Sequence, residues 1–544
     1  MMDKSTLRWN GWGLCDAPDV LGDNAEGIWQ WLGSYFGMGT LPHTPAVALE
    51  QASLPPSRLN ASQQQELAAI MDAQRIVVED RERAYHARGR SYHDLLHLRA
   101  GRLQTAPDAV AYPATAAEVQ ALVAHAVEND IALVPYGGGS SVVGGVTPAP
   151  ASAQRAVITV DMALMNQVLD INKTDMVAHC EAGIYGPHLE RCLQEAAVTL
   201  GHYPQSFEYS TLGGWIASRG AGHQSNKYGK AEDWFVAATL ATHKGMWHTE
   251  TFPKSAAGPL LRDLVPGSEG VFGIITDAWV RIHELPEKRE YRAWFFQDFE
   301  SGVNATRALL QHDVPTAMVR LSDADETFFY SVLHGGADVA ENGPMGFCLM
   351  LVGFEGDAAT VEYGAARAET VLREYGGADM GASLGAAWLE TRFETPYLRD
   401  PMLDRGLGVD TIETAVSWER LPQLHQAVRK TLTEVIAANG PQNDTKSIVM
   451  SHLSHSYRTG ASLYFTFVFP RNGEDAIGQW QTIKTAASDA IVAAGGTISH
   501  HHGVGEDHRD WMKTEKGPVA NALLHALKRE IDPTGVINPG KLLS

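Results

Sequence analysis

Three consecutive glycines placed directly after an apolar run constrain this chain more than any other feature. Ile131-Ala132-Leu133-Val134 reads as a strand, and Pro135-Tyr136-Gly137-Gly138-Gly139-Ser140-Ser141 follows it. Backbone without Cβ atoms lets amide N–H groups converge on an anion, and the two serine hydroxyls add donors. The continuation, Gly144-Gly145-Val146-Thr147-Pro148, is a poor helix opening. A dinucleotide site of the nicotinamide type runs its glycines straight into a helix. The segment therefore predicts a diphosphate cradle that leads into further loop or strand.

At 544 residues the chain exceeds a single core, so two or three domains are expected. A net charge of −21 disfavours nucleic acid and anionic membrane as partners held by bulk charge. Anionic small molecules would be caught by local Arg or Lys. Cys15, Cys180, Cys192 and Cys348 are scattered, which points to a reducing compartment without a zinc or disulfide framework. The N-terminus lacks the apolar core of a signal peptide, and no run approaches the ~18 apolar residues of a membrane span. The last residues, Lys541-Leu542-Leu543-Ser544, are not a peroxisomal address. A cytoplasmic location is the expectation.

Residues 1–60 read as an irregular Trp-, Gly- and Pro-containing arm and Ser62–Arg88 as a helix, which together make an N-terminal region over 1–95. Strands and helices then alternate: helix Ala116–Glu128, strands Ala156–Val160 and Met176–Glu181, and helix Pro187–Leu200 with Leu189, Cys192 and Leu193 inward. Strands Trp234–Leu240 and Val271–Ile282 complete an α+β domain over 96–285. Pro286–Glu290 is a charged break. Strands Cys348–Phe354 and Ser462–Phe469, with helices Ala358–Tyr375 and Leu424–Ala438, suit a second α+β domain over 286–490. Residues 491–544 hold a helix over Lys513–Ile531.

Two further glycine clusters fall in the first domain. Pro204-Gln205-Ser206-Phe207-Glu208-Tyr209-Ser210-Thr211-Leu212-Gly213-Gly214 leads through Ala217, Ser218, Arg219 and Gly220 to Gly222. Ser210 and Thr211 are N-cap types, and a helix start there offers free N–H donors to an anion. Gly267-Ser268-Glu269-Gly270-Val271-Phe272-Gly273 precedes a strand. These three clusters, with Asn226–Asp233, resemble the FAD-binding domain of the vanillyl-alcohol-oxidase flavoprotein superfamily. Trp9-Asn10-Gly11-Trp12-Gly13, Val319–Leu321, Phe354–Asp357, Tyr397–Asp400, Ser456–Phe465 and Ser499–Gly505 make the chain similar, within that superfamily, to the alkyldihydroxyacetonephosphate synthase family.

The resemblance implies a two-subdomain FAD-binding domain of the PCMH type plus an α+β cap domain with a central antiparallel sheet. The C-terminal segment would return to the flavin. FAD would be held by Pro135–Ser141, Pro204–Ser210, Gly213, Gly214, Ala217–Gly220 and Gly267–Gly273. No covalent tether is expected, because Tyr136–Ser141 lacks the histidine that anchors flavin in some relatives. The implied reaction exchanges the acyl chain of acyl-dihydroxyacetone phosphate for a fatty alcohol, without net redox change. Its substrate is lipid-like and phosphorylated; peripheral membrane contact and a homodimer stay open.

Tyr457 matches the acid/base tyrosine of that family, Arg399 its phosphate-gripping arginine, and Arg320 an arginine needed for activity. A guanidinium fork suits phosphate, whereas a helix-end Arg399 could equally pair with Asp400 or Asp404. An extended His500-His501-His502 would put His500 and His502 on one face and His501 on the other. The resemblance places this triplet in the active site, supporting Tyr457. The rival is a flavin-linked D-2-hydroxy-acid (D-lactate/glycolate) dehydrogenase, suggested by a possible metal pair at His452 and His455. It ranks second, since His501 stands where those enzymes carry a metal-binding Glu. No metal is assigned. Gly535–Lys541 has P-loop spacing, but Leu542 replaces the Ser/Thr and no helix can follow.

Overall fold

Apolar runs, continuous or alternating, build the three larger sheets, and these position the site. The computed structural model describes residues 4–149, 156–336, 339–340, 346–442 and 444–543. Strands Ile131–Tyr136 and Ala109–Ala111 flank Ala156–Asp161 in parallel, and Ile76–Val77 adds an antiparallel edge. Helix Ala116–Asn129, N-capped by Thr115, lays Val119, Leu122 and Val123 on this sheet. Its parallel strands are buried on both faces, which explains their continuous apolar runs. A second, antiparallel sheet runs Val168–Asn172, Val177–Glu181, Ile274–Arg281, Phe235–Thr242 and Gly245–His248. The two sheets are the two halves of the first α+β unit.

The third sheet has seven antiparallel strands, ordered Ala378–Gly381, Lys288–Phe296, Cys348–Gly356, Met318–Ser322, Ile448–Ser456, Gly460–Pro470 and Leu407–Ser417. Side chains alternate across it with period two. Leu453, Leu463, Phe465 and Phe467 pack beneath helices Phe299–Gln311, Leu421–Asn439 and Ala476–Ala493. Met450, His452, Tyr464, Thr466 and Val468 point the other way, into a cavity. One face is core and the other is the roof of the site. Burying the apolar face contributes about 25 cal/mol per Å².

The C-terminal segment joins the first sheet. Leu133 N–H donates to Val536 O (2.8 Å), and Asn538 N–H to Leu133 O (2.7 Å). No helix among the described residues is long and apolar enough to cross a membrane.

Some local expectations fail for identifiable reasons. The helix expected over Ser62–Arg88 breaks into Ala61–Ala68 and Asp80–Tyr85, because Ile76 and Val77 pair with Ala111 and Val110. The helix expected over Pro187–Leu200 ends at Glu195: Ala197 takes φ 57°, and Val198–Thr199 pairs with His283–Glu284. Cys192 on that helix is only half-buried, not inward. The arm contains a helix, Ala25–Tyr35, whose Ile28 and Leu32 join Phe329 and Val332 in a separate core. The last helix is interrupted at Gly517 (φ 72°), just before Pro518.

Candidate active site

Between these two sheets and the seven-stranded sheet lies a cavity of about 830 Å³. Its floor is the first glycine loop. A Cβ on Gly138 would stand 1.8 Å from Tyr209 O, and Gly139 sits at φ 70°. Only glycine suits either position. The hydroxyl oxygen of Ser141 accepts the Gly145 N–H (2.9 Å) and so closes the loop on itself. Glu269, from the third cluster, accepts the N–H groups of Val504 and Gly505 and thereby docks the loop after the histidines. Asn538 donates to Glu269 O (2.7 Å) and Gly145 O (3.3 Å), so the C-terminal segment ties the clusters together.

Among the cavity-lining side chains with buried polar atoms that lack a protein partner among the described residues are Tyr136, Thr211 and Asn538. Buried donors and acceptors are normally satisfied. A cradle of bare backbone amides beside such atoms fits a dinucleotide diphosphate.

The His500–His502 stretch is not extended. It curls around the carboxylate of Glu413, which accepts N–H from His500 (2.7 Å), His501 (3.2 Å) and His502 (3.0 Å) and the hydroxyl of Ser499 (2.6 Å). The Glu413 side chain is fully buried. Burial alone would raise its pKa; the histidine rings and Ser499 outweigh that and hold it well below the usual carboxylate range. Burial pushes His501 down to about 3 and His502 to about 4, and His500 falls well below its ordinary value. These imidazoles are neutral at pH 7.

Tyr457 Oη lies 2.6 Å from His500 Nε2, and His500 Nδ1 faces His501 Nδ1 at 3.1 Å. Burial raises the Tyr457 pKa, so the phenol keeps its proton, within hydrogen-bond reach of His500 Nε2. His501 and His502 line the cavity, with Tyr457 and His500 one layer behind.

Arg399 also lines the cavity, at the start of helix Arg399–Leu403. Its Nη1 donates to Arg90 O (2.8 Å), and it has no carboxylate partner among the described residues. Asp400 is taken by Arg8 (2.9 Å) and the Trp12 N–H (2.8 Å), and Asp404 by Arg99. The Trp9–Gly13 motif thus wraps Asp400, where a Cβ on Gly11 would lie 2.2 Å from the carboxylate. Beyond Arg399 the wall becomes apolar, with Leu21, Phe329, Leu333, Met402, Met450 and Val468.

Two family models match the chain, the FAD binding domain over residues 107–250 and the FAD linked oxidases, C-terminal domain over 285–542. Alkyldihydroxyacetonephosphate synthase of Dictyostelium discoideum is 33% identical over 92% of this chain and 84% of its own length. The chain belongs to the alkyldihydroxyacetonephosphate synthase family. A solved alkyldihydroxyacetonephosphate synthase superposes with a TM-score of 0.84 at 29% identity, covering 99% of both chains. A probable mitochondrial D-lactate dehydrogenase of Danio rerio is more distant, at 25% identity over 80% of this chain and 84% of its own. FAD is the cofactor of this chain.

Other residues expected at the site are distributed unevenly. Pro135–Ser141, Pro204–Ser206, Ser210, Gly213, Gly214, Ala217, Ser218, Gly220, Glu269 and Gly270 line the cavity. Phe207, Glu208, Tyr209, Arg219, Gly267, Ser268, Val271, Phe272 and Gly273 do not. Phe207 stacks on Phe393, Tyr209 Oη pairs with Tyr397 Oη (2.6 Å), and Arg219 pairs with Glu232. Val271 and Phe272 pack against Val504 and Met512. Arg320 lines the cavity but is bound to Glu326 (3.2 Å) and His452 (3.0 Å). His452 and His455 do not form a pair: His452 bonds Glu326, and His455 bonds Ser225 and stacks on His500. Glu413 escaped the sequence reading, as did Thr211 as a lining residue.

The depressed histidine values carry a pH signature. An unfolded histidine titrates near ~6.5, so acidification protonates the unfolded chain first. The stability contributed is complete above that pH and is lost as pH falls toward the folded values of about 4 and 3. The melting temperature is expected to fall on acidification across this window, with a shallower slope for His502→Gln. A variant slope equal to the parent's would contradict the assignment.

Proposed function

We propose that this chain exchanges the acyl group of acyl-dihydroxyacetone phosphate for a fatty alcohol, forming the ether bond of an ether lipid. The observation that carries the reading is one continuous cavity with three chemistries. A glycine cradle suits the flavin, Arg399 presents a guanidinium with no carboxylate partner among the described residues, and an apolar wall beyond it suits an alkyl chain. Bound FAD supplies the electrophilic ring that the exchange requires. Arg399 grips the substrate phosphate bidentately. His501 meets the substrate C–H as a neutral base and passes its Nδ1 proton to His500 Nδ1, where it rests as an imidazolium whose Nε2–H donates to Tyr457 Oη. Tyr457 acts on this proton through His500, whose Nε2 lies 2.6 Å from its Oη. Glu413 holds the triplet in place through its backbone.

The test is formation of alkyl-dihydroxyacetone phosphate and free fatty acid from acyl-dihydroxyacetone phosphate and a fatty alcohol. Flavin that stays yellow on anaerobic mixing with D-2-hydroxy acids separates this reading from the dehydrogenase. Bleaching by D-lactate, with no ether product, would overturn it. Tyr457→Phe is expected to slow exchange about 10²- to 10⁴-fold while leaving flavin content intact. Arg399→Ala should lower kcat/KM by roughly 10- to 150-fold, the loss of a charge-assisted hydrogen bond of about 1.5–3 kcal/mol. Parental rates in both variants would remove the proposed roles.

A further inference from the structure

His455, His500 and His501 bring three imidazole nitrogens within 4.8 Å of one another. They come from two chain segments, strand Ile448–Ser456 and the curled histidine stretch. Each of the first two rings is oriented from its far nitrogen. His455 Nδ1 is fixed by Ser225 Oγ (2.8 Å), leaving Nε2 to face the cluster. His500 Nε2 is fixed by Tyr457 Oη (2.6 Å), leaving Nδ1, which lies 3.1 Å from His501 Nδ1. A bond from the outer nitrogen to a hydroxyl is how ligating histidines are commonly aligned. In a tetrahedral site with metal–nitrogen bonds of about 2.0–2.1 Å, neighbouring ligand nitrogens stand about 3.4 Å apart. The observed nitrogens, within 4.8 Å of one another, need to draw together by at most about 1.4 Å to reach it.

We propose that His455, His500 and His501 bind one divalent cation of the Zn²⁺ or Co²⁺ class. Imidazole nitrogen selects these borderline ions over Mg²⁺ and Ca²⁺, which need oxygen ligands. The charges facing the cluster are mixed. Glu413 lies 3.5 Å from His501 Nδ1 and favours a cation, while Lys230, whose Nζ donates to His500 O (2.6 Å), opposes one. The site has three protein ligands, one fewer than a closed tetrahedral site. It is not the His452–His455 pair suggested by spacing, because His452 is spent on Glu326. Resting on the relay read above, occupancy has a consequence: the ion takes the lone pairs of His500 and His501 and stops proton transfer. The cation is therefore an inhibitor.

The experiment uses untagged holoenzyme, stripped with a chelator and titrated with Co²⁺. One ion per chain is expected, with visible ligand-field absorption at longer wavelength than the flavin bands. His455→Gln should abolish this absorption, and Ser225→Ala should weaken binding by about 10- to 100-fold, with flavin spectra unchanged as the control for folding. Alkyl exchange by the parent should fall as the site fills, and exchange by His455→Gln, measured against its own metal-free rate, should not. Absence of stoichiometric Co²⁺ at millimolar concentration overturns the site, as does equal binding by His455→Gln and parent. Stoichiometry and absorption are read without the exchange assay, so failure of the proposed reaction leaves this test decisive.

Discussion

Gly138→Ala is expected to purify colourless. Its new methyl would stand 1.8 Å from Tyr209 O, a backbone atom that cannot rotate away. Either the Pro135–Ser141 loop or the Tyr209–Ser210 segment must move, and both line or support the flavin cavity. Overpacking of this kind costs about 1–3 kcal/mol, and the displaced loop no longer presents its amides to the diphosphate. Flavin absorbance per protein chain should fall at least about tenfold, since about 1.4 kcal/mol is a factor of ten in binding. Heat denaturation of the parent should release FAD, as expected for a non-covalent cofactor. A stoichiometric yellow Gly138→Ala protein would show that the diphosphate does not lie on this loop.

Glu413→Ala should abolish exchange and keep the flavin. The carboxylate satisfies the N–H groups of His500, His501 and His502 and the Ser499 hydroxyl. Each buried donor left unpaired costs about 1–3 kcal/mol, so the curl opens and the His501–His500–Tyr457 relay loses its spacing. Glu413→Gln is only a partial rescue. Its amide NH₂ must face at least one backbone N–H that the carboxylate accepted, so donor meets donor. The ordering parent, Gln, Ala is expected in kcat, with Ala at least about 100-fold down, while flavin content stays constant. If Glu413→Ala turns over at the parental rate, the triplet is held by something else.

Much of the flavin half was legible because its signals are local. A strand followed by three glycines, a loop after it and two more glycine clusters lie within short stretches of chain. Two strands of the cap were legible for the same reason, since the runs Cys348–Phe354 and Ser462–Phe469 fall within Cys348–Gly356 and Gly460–Pro470, whereas their antiparallel order was implied only by the family resemblance. The histidine stretch was misread as extended. Three consecutive residues give no hint that a carboxylate from 87 positions earlier in the chain, on another strand, will gather their N–H groups.

Glu413 shows the same boundary from the other side. On Leu407–Ser417 it looks like any polar strand residue, and only the fold turns its side chain inward beneath Ser499–His502. Arg399 is similar. Its neighbour Asp400 is the obvious ion-pair partner, until the N-terminal arm claims that carboxylate through Trp12 and Arg8. The chain by itself determined which segments make amide-lined turns and which side-chain chemistries are available, because backbone sterics and residue type act over a few positions. Tertiary structure alone decided which charges are free, which histidines face the cavity and which stand behind it. Those outcomes depend on contacts between segments hundreds of residues apart, and pairing and burial arise only when the segments meet.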